Sequence, residues 1–145
     1  LDQRYIDYLA QNIDLVGKIN WRKFEGLTAE FFEREGYHVA LGPGRGDDGI
    51  DLRVWRDKND GPPTVLVQCK RQQEKIDKMV VKSLFADVEH HKAGSGLIVT
   101  TSSFSKGARE VCVARNYPIR EANRDTVGKW ISRMRTPNSG VFLGE

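Results

Sequence analysis

The sequence predicts an α/β domain with a central mixed sheet and helices on both faces, on three observations. Short apolar runs bounded by turn residues, at 37–41, 49–55, 64–70 and 96–100, have the length and composition of strands. Between and around them lie segments with apolar residues at helical spacing, most clearly 77–91 and 124–134. The later part of the chain alternates strand, helix, strand, helix, the order of parallel crossover units.

Each element has a local reason. Residues 2–13 set Tyr5, Ile6, Leu9 and Ile13 at helical spacing, so an amphipathic helix is expected there, packed on the domain or on a neighbour outside this sequence. Asn20 is a candidate N-cap for a second helix, with Trp21, Phe24, Leu27, Thr28, Phe31 and Phe32 as its inner face and Gly36 as its stop. Residues 37–41 read as a strand and 42–46, Gly-Pro-Gly-Arg-Gly, as a loop. A strand over 49–55 is followed by Asp57-Lys58-Asn59-Asp60-Gly61-Pro62-Pro63, which is dense in turn residues.

The unbroken apolar start of 64–70 places that strand in the middle of a sheet. A helix from Asp77 to about His91 faces inward through Val80 or Val81, Leu84, Phe85 and Val88. Residues 96–100 read as a buried strand, and Ser105 as the cap of a helix that runs to Ala114. Tyr117-Pro118-Ile119 is a short extended piece before the last helix, and 136–145 is a turn-rich, flexible tail. The expected division is a helical extension or linker over 1–20, one catalytic-sized domain over 21–135, and the tail.

Composition narrows the class. A chain 39% hydrophobic and 30% charged matches a soluble globular domain, and no apolar run approaches the roughly 20 residues of a membrane span. No signal-peptide pattern opens the chain. It begins at Leu1 rather than methionine, which fits a domain of a longer protein. Cys69 and Cys112 lack metal-ligand spacing and read as buried free thiols, consistent with a reducing cytoplasm. His38, His90 and His91 form no ligand cluster. The net charge is only +3, but 104–135 holds eight basic residues against three acidic ones. That surplus suits a polyanionic partner or a solvated helix face.

The chemistry concentrates in Gly46-Asp47-Asp48-Gly49-Ile50-Asp51-Leu52 and Val65-Leu66-Val67-Gln68-Cys69-Lys70. An acid ends a Gly-rich turn and enters a strand; in the next apolar strand an amide and an amine lie two residues apart. Strand side chains alternate, so Gln68 and Lys70 point one way while Val65, Val67 and Cys69 point into the opposite layer. If the strands are neighbours, Asp51 shares a cleft with Gln68 and Lys70. Two oxygens and an ammonium converging there suit phosphodiester hydrolysis.

Five motifs then follow in order: Phe24-Glu25, Gly36-Tyr37-His38-Val39, Asp47-Asp48-Gly49-Ile50-Asp51, Gln68-Cys69-Lys70-Arg71 and Val99-Thr100-Thr101. Together they resemble the Mrr-like catalytic domain, a branch of the PD-(D/E)xK restriction-endonuclease-like nucleases, over about 21–131. The resemblance implies a restriction-endonuclease-like fold with a four- or five-stranded sheet. It also implies a Mg²⁺-dependent endonuclease acting on DNA, double-stranded by preference, with Mn²⁺ able to substitute. Such a domain is expected to be the effector of a restriction or antiviral, anti-phage defence protein, homodimeric, and fused to a sensor or recognition domain. The alternatives are a structure-specific repair or junction nuclease and a catalytically silent nucleic-acid-binding module.

Position by position, Asp51 matches the family's metal-binding aspartate and Lys70 its catalytic lysine. Gln68 stands where most of the superfamily carries an acid and the Mrr branch a glutamine. Glu25 matches the helical glutamate that completes the site. Asp48 departs from the pattern, which usually has a second glycine there, and is expected to be solvated. The expected metal ligands are Asp51, Gln68, Glu25 and the Cys69 backbone carbonyl. A glutamine in place of an acid removes one negative charge, so bare-metal affinity should be weak and substrate phosphate should help to complete coordination. Arg71, Thr100, Thr101, Lys106 and Arg109 are the expected phosphate contacts, with a surface role the equal alternative for Arg71 and strand-end capping for the threonines. Trp21, Trp55 and Trp130 are expected to pack rather than to stack on bases.

Overall fold

The computed structural model describes residues 1–42, 49–57 and 60–137. Most of the loop 42–46, the acids Asp47 and Asp48, part of the 57–63 turn, and the tail beyond Pro137 lie outside them. The chain runs α1 (Gln3–Gln11), a 3-10 segment (Ile13–Lys18), α2 (Trp21–Arg34), β1 (His38–Leu41), β2 (Leu52–Trp55) and β3 (Val65–Lys70). It continues with α3 (Lys78–His91), β4 (Ser95–Thr100), α4 (Lys106–Ala114), β5 (Ile119–Ala122) and α5 (Arg124–Met134). Asn20, Asp77, Ser105 and Asn123 each cap the following helix through a side-chain oxygen that accepts a first-turn N–H.

The five strands lie in sequence order, β1-β2-β3-β4-β5. The first two pairings are antiparallel and the last two parallel, so β3 occupies the centre, as its apolar start predicts. Helices α3 and α4 are the crossovers of the parallel half. Alternation along β3 sends Val67 to one face and Leu66 to the other. Val67 joins Leu52, Val54 and Val99 under Phe24, Leu27, Ile6, Leu9 and Ile131, the layer of α1, α2 and α5. Leu66 joins Ile98 and Ile119 under Val81, Leu84, Val88 and Ala108, the layer of α3 and α4. Gly96 permits that second packing, because a Cβ there would meet Leu84 at 2.9 Å and Ile119 at 2.7 Å.

Several expectations change. Trp21 is 48% exposed and leaves the inner face of α2 to Phe24, Leu27 and Thr28. Trp130 does pack, stacked on Phe31 with ring centroids 4.3 Å apart, and Trp55 donates its indole N–H to the Gly61 carbonyl. The last strand is Ile119–Ala122, beginning after Pro118 rather than around it. Cys69 and Cys112 are only half-buried as residues.

The N-terminal segment is built into the domain. Ile6 and Leu9 are fully buried in the same layer as Phe24 and Ile131. Asp7 accepts two 2.7 Å hydrogen bonds from Thr136, and Gln3 and Arg34 both donate to the Met134 carbonyl. Ile6→Ala is therefore expected to cost about 2–5 kcal/mol in urea unfolding. A cost below about 0.5 kcal/mol, the range of an ordinary surface change, would mean that α1 is merely appended.

Candidate active site

The cleft forms where β2 parts from β3. Asp51 is the last residue to keep the ladder, its N–H donating to the Val67 carbonyl at 2.9 Å. Two residues earlier Gly49 adopts φ +86°, a left-handed conformation that turns the chain out of the sheet and makes β2 shorter than 49–55. The Asp51 carboxylate fills the gap, its Oδ2 accepting the Cys69 N–H at 2.7 Å. Cys69 N–H and C=O share one side of the strand, so the carbonyl faces the same gap. Gln68 lies against Gly49, its Nε2 at 3.0 Å from where a glycine Cβ would stand; a larger residue at 49 would displace it.

Glu25 reaches this point from α2. It is the only carboxylate among the buried polar side chains of the described residues, 4% exposed. It lies close enough to Asp51 for the two carboxyls to share a hydrogen bond. Burial first, and then the Glu25 carboxyl, push Asp51 up to about 7, against the Cys69 N–H and the Lys70 charge, which pull it down. Those causes put the Lys70 ammonium within electrostatic reach of Asp51. Asp51 thus interacts with Glu25 and Lys70, residues separated by 45 positions in the sequence, while Gln68 lies against Gly49, two residues before Asp51.

Cys69 turns the other way, its Sγ 3.8 Å from the Thr28 hydroxyl. Burial, then the Asp51 charge, push its thiol well above the usual range, so it packs beneath the cleft as a neutral group.

The expected phosphate contacts divide. Thr100 is fully buried, its Oγ1 accepting the Ser102 N–H, and Thr101 Oγ1 bonds both the N–H and the carbonyl of Gln72. Both hydroxyls therefore cap the strand end; Thr100 is sealed, whereas Thr101 also borders a surface depression. Arg71 donates to the Gly17 carbonyl at 3.0 Å and ties the end of β3 to the 3-10 segment. Lys106, exposed at the start of α4, has Glu110 at 4.0 Å. Arg109 pairs with Glu121, which also accepts the Phe104 N–H. A polar depression of about 460 Å³ begins three residues past Lys70, lined by Gln73, Ser102, Asn123 and Arg124 among others.

One residue at the site was not anticipated. Arg22 donates to Glu25 Oε1 at 2.6 Å and to the Gly42 carbonyl at 3.1 Å. Its position three residues before Glu25 on one helix was the available signal, since such residues share a face.

The donor set suits a hard divalent cation: two carboxylates crowded enough to raise one of them, an amide and a strand-end carbonyl. Among the described residues no three His, Cys, Asp or Glu side chains gather in this way, so the cleft contributes two carboxylates and neutral oxygens. Residues 43–48, Asp47 and Asp48 included, are outside that statement.

Comparison with known proteins identifies the family and the fold. A family profile described as the Mrr catalytic domain, restriction endonuclease, matches residues 16–131. The type IV methyl-directed restriction enzyme EcoKMrr of Escherichia coli (strain K12) is 31% identical over 93 residues, covering 61% of this chain and 30% of that protein. The chain therefore spans less than a third of that relative's length. Two solved structures share the fold. One is the MspJI restriction endonuclease in complex with a 27-mer oligonucleotide, with a TM-score of 0.58 and 22% identity over 98% of this chain and 33% of that one. The other is the DNA modification-dependent restriction endonuclease AspBHI, with a TM-score of 0.66 and 16% identity over 94% of this chain and 37% of that one.

Proposed function

Because this chain belongs to the Mrr catalytic family of restriction endonucleases, we propose that it is the DNA-cutting domain of a restriction or anti-phage defence protein. It hydrolyses phosphodiester bonds of duplex DNA with Mg²⁺, which Mn²⁺ can replace. The observation that carries this reading is the meeting of Glu25 and Asp51 in a half-closed cleft, with Lys70 beside them. Two carboxylates forced together are unfavourable alone and become favourable around a divalent cation.

Asp51 and Glu25 would hold the ion, with the Gln68 amide and the Cys69 carbonyl as neutral donors. Bound there, the ion supplies Lewis-acid stabilisation of the negative charge on the phosphodiester. The chain's own residues do the rest. The Cys69 N–H fixes one Asp51 oxygen. Lys70 offers an ammonium that orients the attacking water or stabilises charge gathering on the phosphoryl oxygens. Lys106, Arg71 and the depression beside Arg124 suit the DNA backbone, so binding weakens steeply with salt.

Cutting both strands requires two such sites, which suggests a homodimer, and a relative of which the match covers only 30% leaves room for a fused recognition or sensor domain. No helix among the described residues is long and apolar enough to cross a membrane; acting on invading DNA would make the cytoplasm its place of work. Incubation with supercoiled plasmid tests the proposal. Nicked or linear product is expected with Mg²⁺ or Mn²⁺ and none with EDTA. DNA retardation without cleavage under any metal would instead identify a silent binding module, and preference for branched over linear duplex a junction nuclease.

A further inference from the structure

Among the described residues, the cleft's two carboxylates face two cations, Lys70 on β3 and Arg22 on α2. Arg22 is forked: one nitrogen takes Glu25 Oε1 and another takes the Gly42 carbonyl. Gly42 in turn donates its N–H to the Asp51 carbonyl at 2.7 Å. A single guanidinium thus joins the Glu25 helix to the strand end that pairs with Asp51. Helix formation gives no reason for it. Arg22 lies in the first turn of α2, which contains no acid, and a cation there opposes the helix dipole. The Arg22 side chain is 43% exposed, so it is held in place without being sealed in the core.

We propose that Arg22 is the resident counter-ion of the metal-free cleft, a positioning residue that acts through Glu25. It engages one Glu25 oxygen and offsets its charge, so that the bare cleft binds a divalent cation weakly and binds it well only when substrate phosphate adds negative charge. This rests on the reading of the cleft as the cation site. Charge arithmetic supports it. Among the described residues, Glu25 and Asp51 are countered by Arg22 and Lys70, and Gln68 contributes no charge. An ion entering alone gains from two carboxylates and is repelled by two cations at short range.

Isothermal titration of Mn²⁺ alone into the chain at pH 8 reads this. Arg22→Met is expected to bind Mn²⁺ about tenfold more tightly than the wild type. Arg22→Lys keeps the charge and loses the fork, and stays within about threefold of the wild type. Unchanged or weaker binding by Arg22→Met overturns the proposal, and so does an Arg22→Lys variant that tightens as much as Arg22→Met. A merely structural arginine gives the opposite sign, with weaker binding in both. Arg22→Gln serves in place of the methionine variant if that one does not fold, under the same expectation. Asp51→Asn separates the two readings. Loss of Mn²⁺ binding there identifies the cleft as the cation site whatever Arg22 does, while undiminished binding removes the site and the counter-ion together.

Discussion

Lys70→Ala is expected to slow single-turnover DNA cleavage by about 10²–10³-fold, the loss that follows removal of one preorganised donor to developing charge. Binding of DNA and the fold should survive. Lys70 ends β3, paired in register with Thr100, and is only half-buried, so its truncation leaves neither an apolar cavity nor a broken ladder. Its charge also pulls Asp51 downward against burial and Glu25. The variant should therefore need a higher pH to load its cation, and raising the pH should recover only part of the lost rate. Cleavage within tenfold of the wild type at every pH would remove Lys70 from the chemistry.

Asp51→Asn should abolish cleavage and make the metal-free protein more stable. The asparagine oxygen can still accept the Cys69 N–H, and the repulsion from Glu25 disappears. The sign follows from Asp51 being raised in the folded state to about 7 from the ordinary 3.8. A raised carboxyl favours the folded protein while protonated, so its contribution is complete below the unfolded value and is lost as pH rises through about 7. Wild type and variant should thus melt together near pH 3–4, with the gap opening up to pH 7 and constant above it.

Discounted for the partial exposure of the cleft, the gap is roughly 1 kcal/mol, or about 3–5 °C in a domain of this size. Added Mn²⁺ should raise the wild-type Tm at pH 8 and leave the variant unmoved, because only a ligand that binds the folded state stabilises it. An Asp51→Asn protein that melts lower than the wild type at pH 8, yet still responds to Mn²⁺, would break the link between this carboxylate and the ion.

Much of the architecture was legible because local chemistry and tertiary packing agree. Asn20, Asp77 and Ser105 stand where capping predicts and do cap. The apolar run at Val65 marks the central strand, and the alternation that separates Gln68 and Lys70 from Cys69 holds along β3. What could not be read depends on partners distant in sequence. The 3-10 segment has no periodicity of its own. The fifth strand has only Ile119 and Ala122 turned inward, too sparse a pattern to mark a boundary. Gly49 looked like the first residue of a strand, but its positive φ makes it a corner.

The candidate site divides in the same way. Asp51, Gln68, Lys70 and Glu25 stand out through motif order, and the fold sets Asp51 against Glu25 with Lys70 in electrostatic reach. Thr100 and Thr101 carry hydroxyls whose partners, Ser102 and Gln72, are revealed only by the closed strand end. Arg22 in the sequence is one more basic residue on an amphipathic helix. Only the burial of Glu25 makes its guanidinium consequential.

The most direct measurement is the anomalous difference map of a crystal of this domain soaked in Mn²⁺. The account predicts a peak bounded by the Asp51 and Glu25 carboxylates, with the Gln68 amide and the Cys69 carbonyl turned toward it and the Lys70 ammonium beside it. A cation bound elsewhere, with those side chains ordered and directed away from one another, would contradict it.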